Sequence, residues 1–147
     1  MGEHYRSLSA VFPVILNEDG TKILLHRREN TGYQDGRWDI AASGHVDEGE
    51  TASQAVVREC KEEIGVDVSV ADARFIHLSH RLGQERTYYD IYFLIRRYEG
   101  EPRIMEAMKC SELAWFALNA LPEEMIRCRQ DVVEAWQRGE CYSERME

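Results

Sequence analysis

A chain of 147 residues, 44% hydrophobic and 31% charged, has the size and composition of one globular domain spanning 1–147, with a core of its own. Its formal net charge of -9 argues against a long nucleic-acid footprint, which needs a basic face, but not against a small polyphosphate, because bound cations invert the local field. The four cysteines, Cys60, Cys110, Cys128 and Cys141, form no CxxC pair, and no stretch reads as a secretory leader or a membrane span, so free thiols in the cytoplasm are expected.

Ser7 to Leu16 is rich in apolar and β-branched residues and reads as a buried strand. Asn17-Glu18-Asp19-Gly20 is a hairpin turn, and Lys22 to Arg28 returns as a strand centred on Ile23-Leu24-Leu25. A polar loop with Gly32 and Gly36 follows, and a short extended piece, Trp38 to Ala42, delivers the chain to Gly44. Thr51 with Gln54 three residues later fits a capping box, so a helix starts there, and Gly65 suits the left-handed residue that stops it. Val66 to Val70 and Arg74 to His80 read as strands, Leu82 to Glu85 turns, and Thr87 to Arg97 runs back. Glu99-Gly100-Glu101-Pro102 breaks the pattern before a last short strand, Leu113 to Ala117. Leu121-Pro122 opens a second helix to about Arg138, with Gly139 just past its end. Met125, Val132, Val133 and Trp136 form its inward face; Glu123, Glu124, Arg127 and Arg129 read as surface. Mixed strands with two separated helices predict an α/β fold whose mixed central sheet is covered on both sides.

The first helix carries an anomaly. Ala52, Val56, Cys60 and Ile64 recur every fourth residue and make its core-facing stripe. Glu59 and Glu63 fall about 60° and about 20° from Val56, beside or inside that stripe, and Glu62 falls about 120° away. Carboxylates there repel each other and lose hydration. A hard divalent cation relieves both costs, since carboxylate and carbonyl oxygens suit Mg²⁺ or Mn²⁺. The plainer alternative is a solvated acidic helix end paired with Arg58 and Lys61.

Gly44, five residues, Glu50, seven residues, then Arg58-Glu59-Cys60-Lys61-Glu62-Glu63-Ile64-Gly65 resembles the Nudix box at every fixed position. The resemblance implies an α/β/α sandwich and metal-dependent hydrolysis of a nucleoside diphosphate linked to a group X, by water attack on a pyrophosphate phosphorus. It implies Glu59 and Glu63 as main ligands, with the Gly44 carbonyl completing the coordination. Glu62 is a further ligand or the water's base. Glu50 and Arg58 become the pair that holds loop to helix. Glu106 sits where many relatives place a late glutamate, and is either the general base or a solvated loop residue. Arg27 and Arg28 end the second strand and either clamp a phosphate or form surface ion pairs; one of two neighbours in a strand points away. His45 reads as a hydrogen-bonding residue or as a contact to substrate. Tyr33, Trp38 and Tyr88 are stacking candidates or core. The expected partner is a small nucleotide derivative, with no long nucleic acid and no membrane, and a homodimer is allowed.

The approach to the box, Ile40-Ala41-Ala42-Ser43-Gly44, lacks the proline common in the family. Its Trp38-to-Gly44 spacing also resembles isopentenyl diphosphate isomerase. That enzyme needs a cysteine acid where this chain has Ser43, and a glutamate where Thr87-Tyr88-Tyr89-Asp90 offers none. Asn30-Thr31-Gly32-Tyr33, Lys109-Cys110-Ser111-Glu112-Leu113, Trp115-Phe116 and Leu121-Pro122 resemble MutT-like hydrolases instead, and favour a nucleoside triphosphate, intact or damaged. A non-catalytic sensor domain is the remaining reading; such domains usually lose box glutamates, and this chain keeps all of them.

Overall fold

A computed structural model describes residues 2–147. The strands are β1 (Leu8–Ile15), β2 (Lys22–Arg28), β3 (Trp38–Ile40), β4 (Gly44–His45), β5 (Ala73–Leu82), β6 (Thr87–Ile95), β7 (Cys110–Ala117) and β8 (Tyr142–Met146), with helices α1 (Ala52–Ile64) and α2 (Arg127–Gln137). One sheet has the order β4-β1-β6-β5-β8 and mixes parallel pairs (β1–β6, β5–β8) with antiparallel ones. A second, antiparallel sheet has the order β3-β2-β7.

Strand β1 divides the interior. Phe12 and Val14 join Tyr92, Trp38, Val132 and Val133 in the core beneath α2. Val11 and Ile15 turn the other way, onto Val56, Cys60 and Ile64 of α1 and onto Phe93. The alternation follows from the two-residue period of a strand buried on both faces. The layering is the mixed α/β arrangement the sequence predicts.

Both ends of α1 lie where the sequence puts them. The Gln54 N–H donates to Thr51 Oγ1 at 3.2 Å and the Thr51 N–H to Gln54 Oε1 at 2.9 Å, a complete capping box. Gly65 takes φ 69°, ψ 20°, and its N–H donates back into the last turn. Four expectations change. Helix α2 begins at Arg127 rather than at Pro122, because residues 122–126 give their hydrogen bonds elsewhere: the Trp38 N–H donates to the Glu124 carbonyl and the Ile126 N–H to that of Trp38. Residues 66–70 form no strand; Asp67 makes a lone bridge to Glu99, and a 3₁₀ turn covers Val70–Asp72. Strand β8 was not expected. Arg129, read as surface, is 4% exposed. All four cysteines are free, and among the described residues no helix is long and apolar enough to cross a membrane.

Candidate active site

Arg58 fastens the loop before α1 to the helix. Its Nε donates to Glu50 Oε2 at 2.8 Å and its Nη2 to Glu50 Oε1 at 3.0 Å, a two-pronged pair. Nη2 also donates to the His45 carbonyl at 3.0 Å, and Nη1 reaches Glu59 at 2.6 Å and Glu62 at 3.4 Å. Glu50 accepts in addition from the Asp47 N–H at 3.0 Å. The Arg58 guanidinium holds the Glu50 carboxyl down at about 2.

Two of the three box glutamates on α1 turn inward. Glu59 lies against Gly44, where a Cβ would overlap its carboxylate. Gly44 does not have a left-handed φ, so the position needs glycine for space and not for conformation. Glu63 Oε2 accepts from the Ser43 N–H at 2.7 Å. Burial pushes the Glu63 carboxyl up to about 9, and the charges of Glu59 and Glu106 add to the rise. Burial raises Glu59 as well, against the pull of Arg58. Glu62 is exposed and, among the described residues, its carboxylate meets Arg58 alone. Among the described residues no three His, Cys, Asp or Glu side chains form a ligating group. The inward set is the Glu59 and Glu63 carboxylates, beside the backbone of Gly44. It is all oxygen and short of positive charge around Glu63, which suits a hard divalent ion.

Two cavities meet here, and Arg28 and Ser43 line both. The first, about 310 Å³, is bordered by Glu63, Glu106, His26, Lys109 and Asn30 among others. It brings Glu106 from the loop before β7 to the same space as Glu63. Glu106 also meets Lys109 at 3.7 Å. His26 is buried, and its Nδ1–H donates to the Ile40 carbonyl at 2.7 Å. The second cavity, about 430 Å³, opens between Gly44, His45, Tyr33 and Tyr88. The His45 ring stacks on Tyr88 with centroids 5.8 Å apart.

The two adjacent arginines part company, as strand alternation requires. Arg28 donates through Nε to the Tyr33 carbonyl at 2.7 Å and through Nη1 to Asp39 at 2.9 Å. Arg27 pairs with Glu112 at 3.1 Å and Glu124 at 3.0 Å and lines neither cavity. Trp38 packs edge-on to Phe116 in the core, while Tyr33 and Tyr88 reach the second cavity. Sequence reasoning missed Asp39, Arg81 and Arg129, which also line that cavity. The signal for Arg129 was present: it precedes Val132 by three residues and Val133 by four, on the apolar side of α2.

The NUDIX domain family profile matches residues 6–137. Among solved structures, the chain is similar to a MutT NUDIX hydrolase from Burkholderia pseudomallei, with TM-score 0.78 and 25% identity over 88% of this chain and 98% of that one. It is also similar in fold to a MutT protein from Methanosarcina mazei Go1, with TM-score 0.78 and 24% identity over 93% of this chain and 97% of that one. Among curated proteins it is similar to isopentenyl-diphosphate Delta-isomerase from Salmonella heidelberg (strain SL476), 31% identical over 67 residues. That match covers 46% of this chain and 37% of the isomerase's length.

Proposed function

The chain belongs to the NUDIX family, and from that premise we propose that it is a metal-dependent pyrophosphohydrolase acting on a nucleoside diphosphate linked to a group X, with a nucleoside triphosphate, intact or damaged, as the favoured substrate. The observation that carries this reading is the close approach of Gly44 to Glu59 beside the half-buried carboxyl of Glu63, which has no ion-pair partner among the described residues. Glu59, Glu63 and the Gly44 carbonyl would hold Mg²⁺ or Mn²⁺, with Glu62 as a further ligand or as base. When bound, such an ion neutralises charge on the phosphate oxygens and acidifies water. Arg28 donates to a phosphate oxygen where the two cavities join. Where Glu62 serves as a ligand, Glu106 is the group that takes the proton of the attacking water. Arg58 keeps the loop against the helix, so that the Gly44 backbone stays on Glu59. The free thiols suit a reducing compartment, and the cytoplasm is the one we assign.

The partial likeness to the isomerases makes that chemistry the second reading. Ser43 stands against it, because a hydroxyl is a far weaker acid than a thiol at neutral pH. The test is a nucleotide panel with Mg²⁺, with products identified and Glu63→Gln as control. Release of a nucleoside monophosphate supports the hydrolase. A rise in melting temperature with nucleotide but no product points to a sensor. Turnover of isopentenyl diphosphate without phosphate release points to the isomerase.

A further inference from the structure

The second cavity is built around charge. Arg28, Arg81 and Arg129 reach it from β2, β5 and α2, and they share two aspartates, Asp39 of β3 and Asp90 of β6. Both aspartates are 1% exposed. Arg28 Nη1 donates to Asp39 at 2.9 Å, Arg81 Nε to Asp90 at 2.9 Å, and Arg129 Nη1 to Asp90 at 3.1 Å. Arg81 Nη1 also meets the partly exposed Glu147 at 3.7 Å, so three carboxylates face the three guanidiniums, and only Asp39, Asp90 and Arg129 are deeply buried.

What the cluster leaves unsatisfied is hydrogen-bond donors. Arg129 Nε has no hydrogen-bond partner among the described residues; Asp39 Oδ1 stands 3.3 Å away but out of line. Nη2 of Arg129 and Nη2 of Arg28 also make no hydrogen bond there. The aromatic walls do not compete for a flat ligand in the usual way. Arg129 lies 3.8 Å over Phe12, Arg81 4.4 Å over Tyr88, and Arg28 5.3 Å over Tyr33. Ring faces thus hold the guanidiniums, Asp90 and Glu147 occupy Arg81, and the unbonded donors of Arg28 and Arg129 remain for a ligand, matching the oxygens of carboxylate and phosphate.

We propose that this cavity takes an anionic group, a phosphate or a carboxylate, carried by the part of the substrate beyond the scissile pyrophosphate, and that Arg129 selects for it. Assigning the group to a substrate rests on the hydrolase reading; the anion site itself does not. Arg28 and Ser43 border both cavities, so one ligand can place its pyrophosphate in the first and its far end in the second.

Wild-type crystals soaked in selenate give the direct test. An anomalous peak at the edge of Arg129 is expected; no peak, or a peak only in the first cavity beside Lys109, overturns the site. In solution, metal-free protein is melted with and without inorganic phosphate. The stabilisation should shrink in Arg129→Lys and vanish in Arg129→Met, and should persist in Lys109→Met. If Arg129→Met does not fold, Arg129→Lys decides: a wild-type response in that variant sinks the assignment. Matched pairs then separate the two sources. UDP-glucuronate should bind about tenfold tighter than UDP-glucose if the group is a carboxylate, and coenzyme A about tenfold tighter than its 3′-dephospho form if it is a phosphate. Equal binding within both pairs removes the substrate assignment, while hydrolysis of nucleoside triphosphates would still stand.

Discussion

The backbone of Gly44 lies so close to the carboxylate of Glu59 that a methyl group on Gly44 would overlap the carboxyl carbon and both oxygens. Glu59 sits at the end of a flexible side chain, so the overlap is relieved by moving it rather than by unfolding. Gly44→Ala should therefore cut turnover by about 10²-fold, as small misplacements of positioned groups do. Its melting temperature should fall by only a few degrees, about the effect of 1 kcal/mol. Steady-state kinetics with a thermal melt separates the two; a loss of fold equal to the loss of turnover would contradict the placement of Glu59.

Glu63 gives a prediction in pH. Its carboxyl titrates at about 9 in the metal-free fold against an ordinary 4.5 when unfolded. The folded state then binds more protons across that window, so this group's contribution is fully present below about 4.5 and is lost as pH rises through about 9. Melting metal-free protein across pH should show this decline, and Glu63→Gln should flatten it. The same variant should lose the stabilisation by Mg²⁺ and about 10²-fold or more in turnover. A parent-like rate in Glu63→Gln at saturating metal would refute the ligand assignment.

Glu50 has the opposite sign. Held at about 2 by Arg58 against 4.5, it contributes stability that is present above about 4.5 and lost as pH falls towards about 2. Glu50→Gln should flatten the acid limb of the melting profile. Arg58→Lys should lower turnover by about tenfold with the fold kept, because one ammonium cannot replace a fork that also reaches His45 and Glu59.

Arg27 and Arg28 should separate cleanly. Arg28→Lys is expected to raise KM by about tenfold, since a point charge cannot serve Asp39, the Tyr33 carbonyl and a phosphate together. Arg27→Ala should leave KM unchanged and lower stability by about 1 kcal/mol or less, as exposed pairs do. A KM rise in Arg27→Ala would show that it reaches substrate after all.

Glu106→Gln should reduce kcat by about 10² to 10⁴ if it takes the water's proton, with KM little changed. Single-turnover rates across pH check this, and a parent-like profile would return Glu106 to a solvated loop residue.

The parts legible in the sequence are those whose causes are local. The capping box of Thr51 and Gln54, the stop at Gly65 and the four-residue stripe of α1 are written within one stretch, and the inward turn of Glu59 and Glu63 follows from their angle to Val56. The arginine cavity is not local. Arg129 is buried because Asp39 and Asp90 arrive from two other strands, and no window along α2 contains either partner. Strand β8 was missed for a similar reason: its residues alternate without a strong apolar face, and His77 of β5 fixes it by bonding the Glu140 carbonyl at 2.9 Å and Ser143 Oγ at 2.8 Å.

Because alternate side chains of β1 serve opposite halves of the interior, its length is as constrained as its composition. Removing one residue between Leu8 and Ile15 would hand every later side chain to the wrong half and shift the pairing with β6 as well. Conservative replacements there can be absorbed by repacking, whereas a frame change must run through the strand until the segment before Leu8 or the turn at Asn17–Gly20 takes it up, so deletion scanning should find its least forgiving segment in the middle of β1.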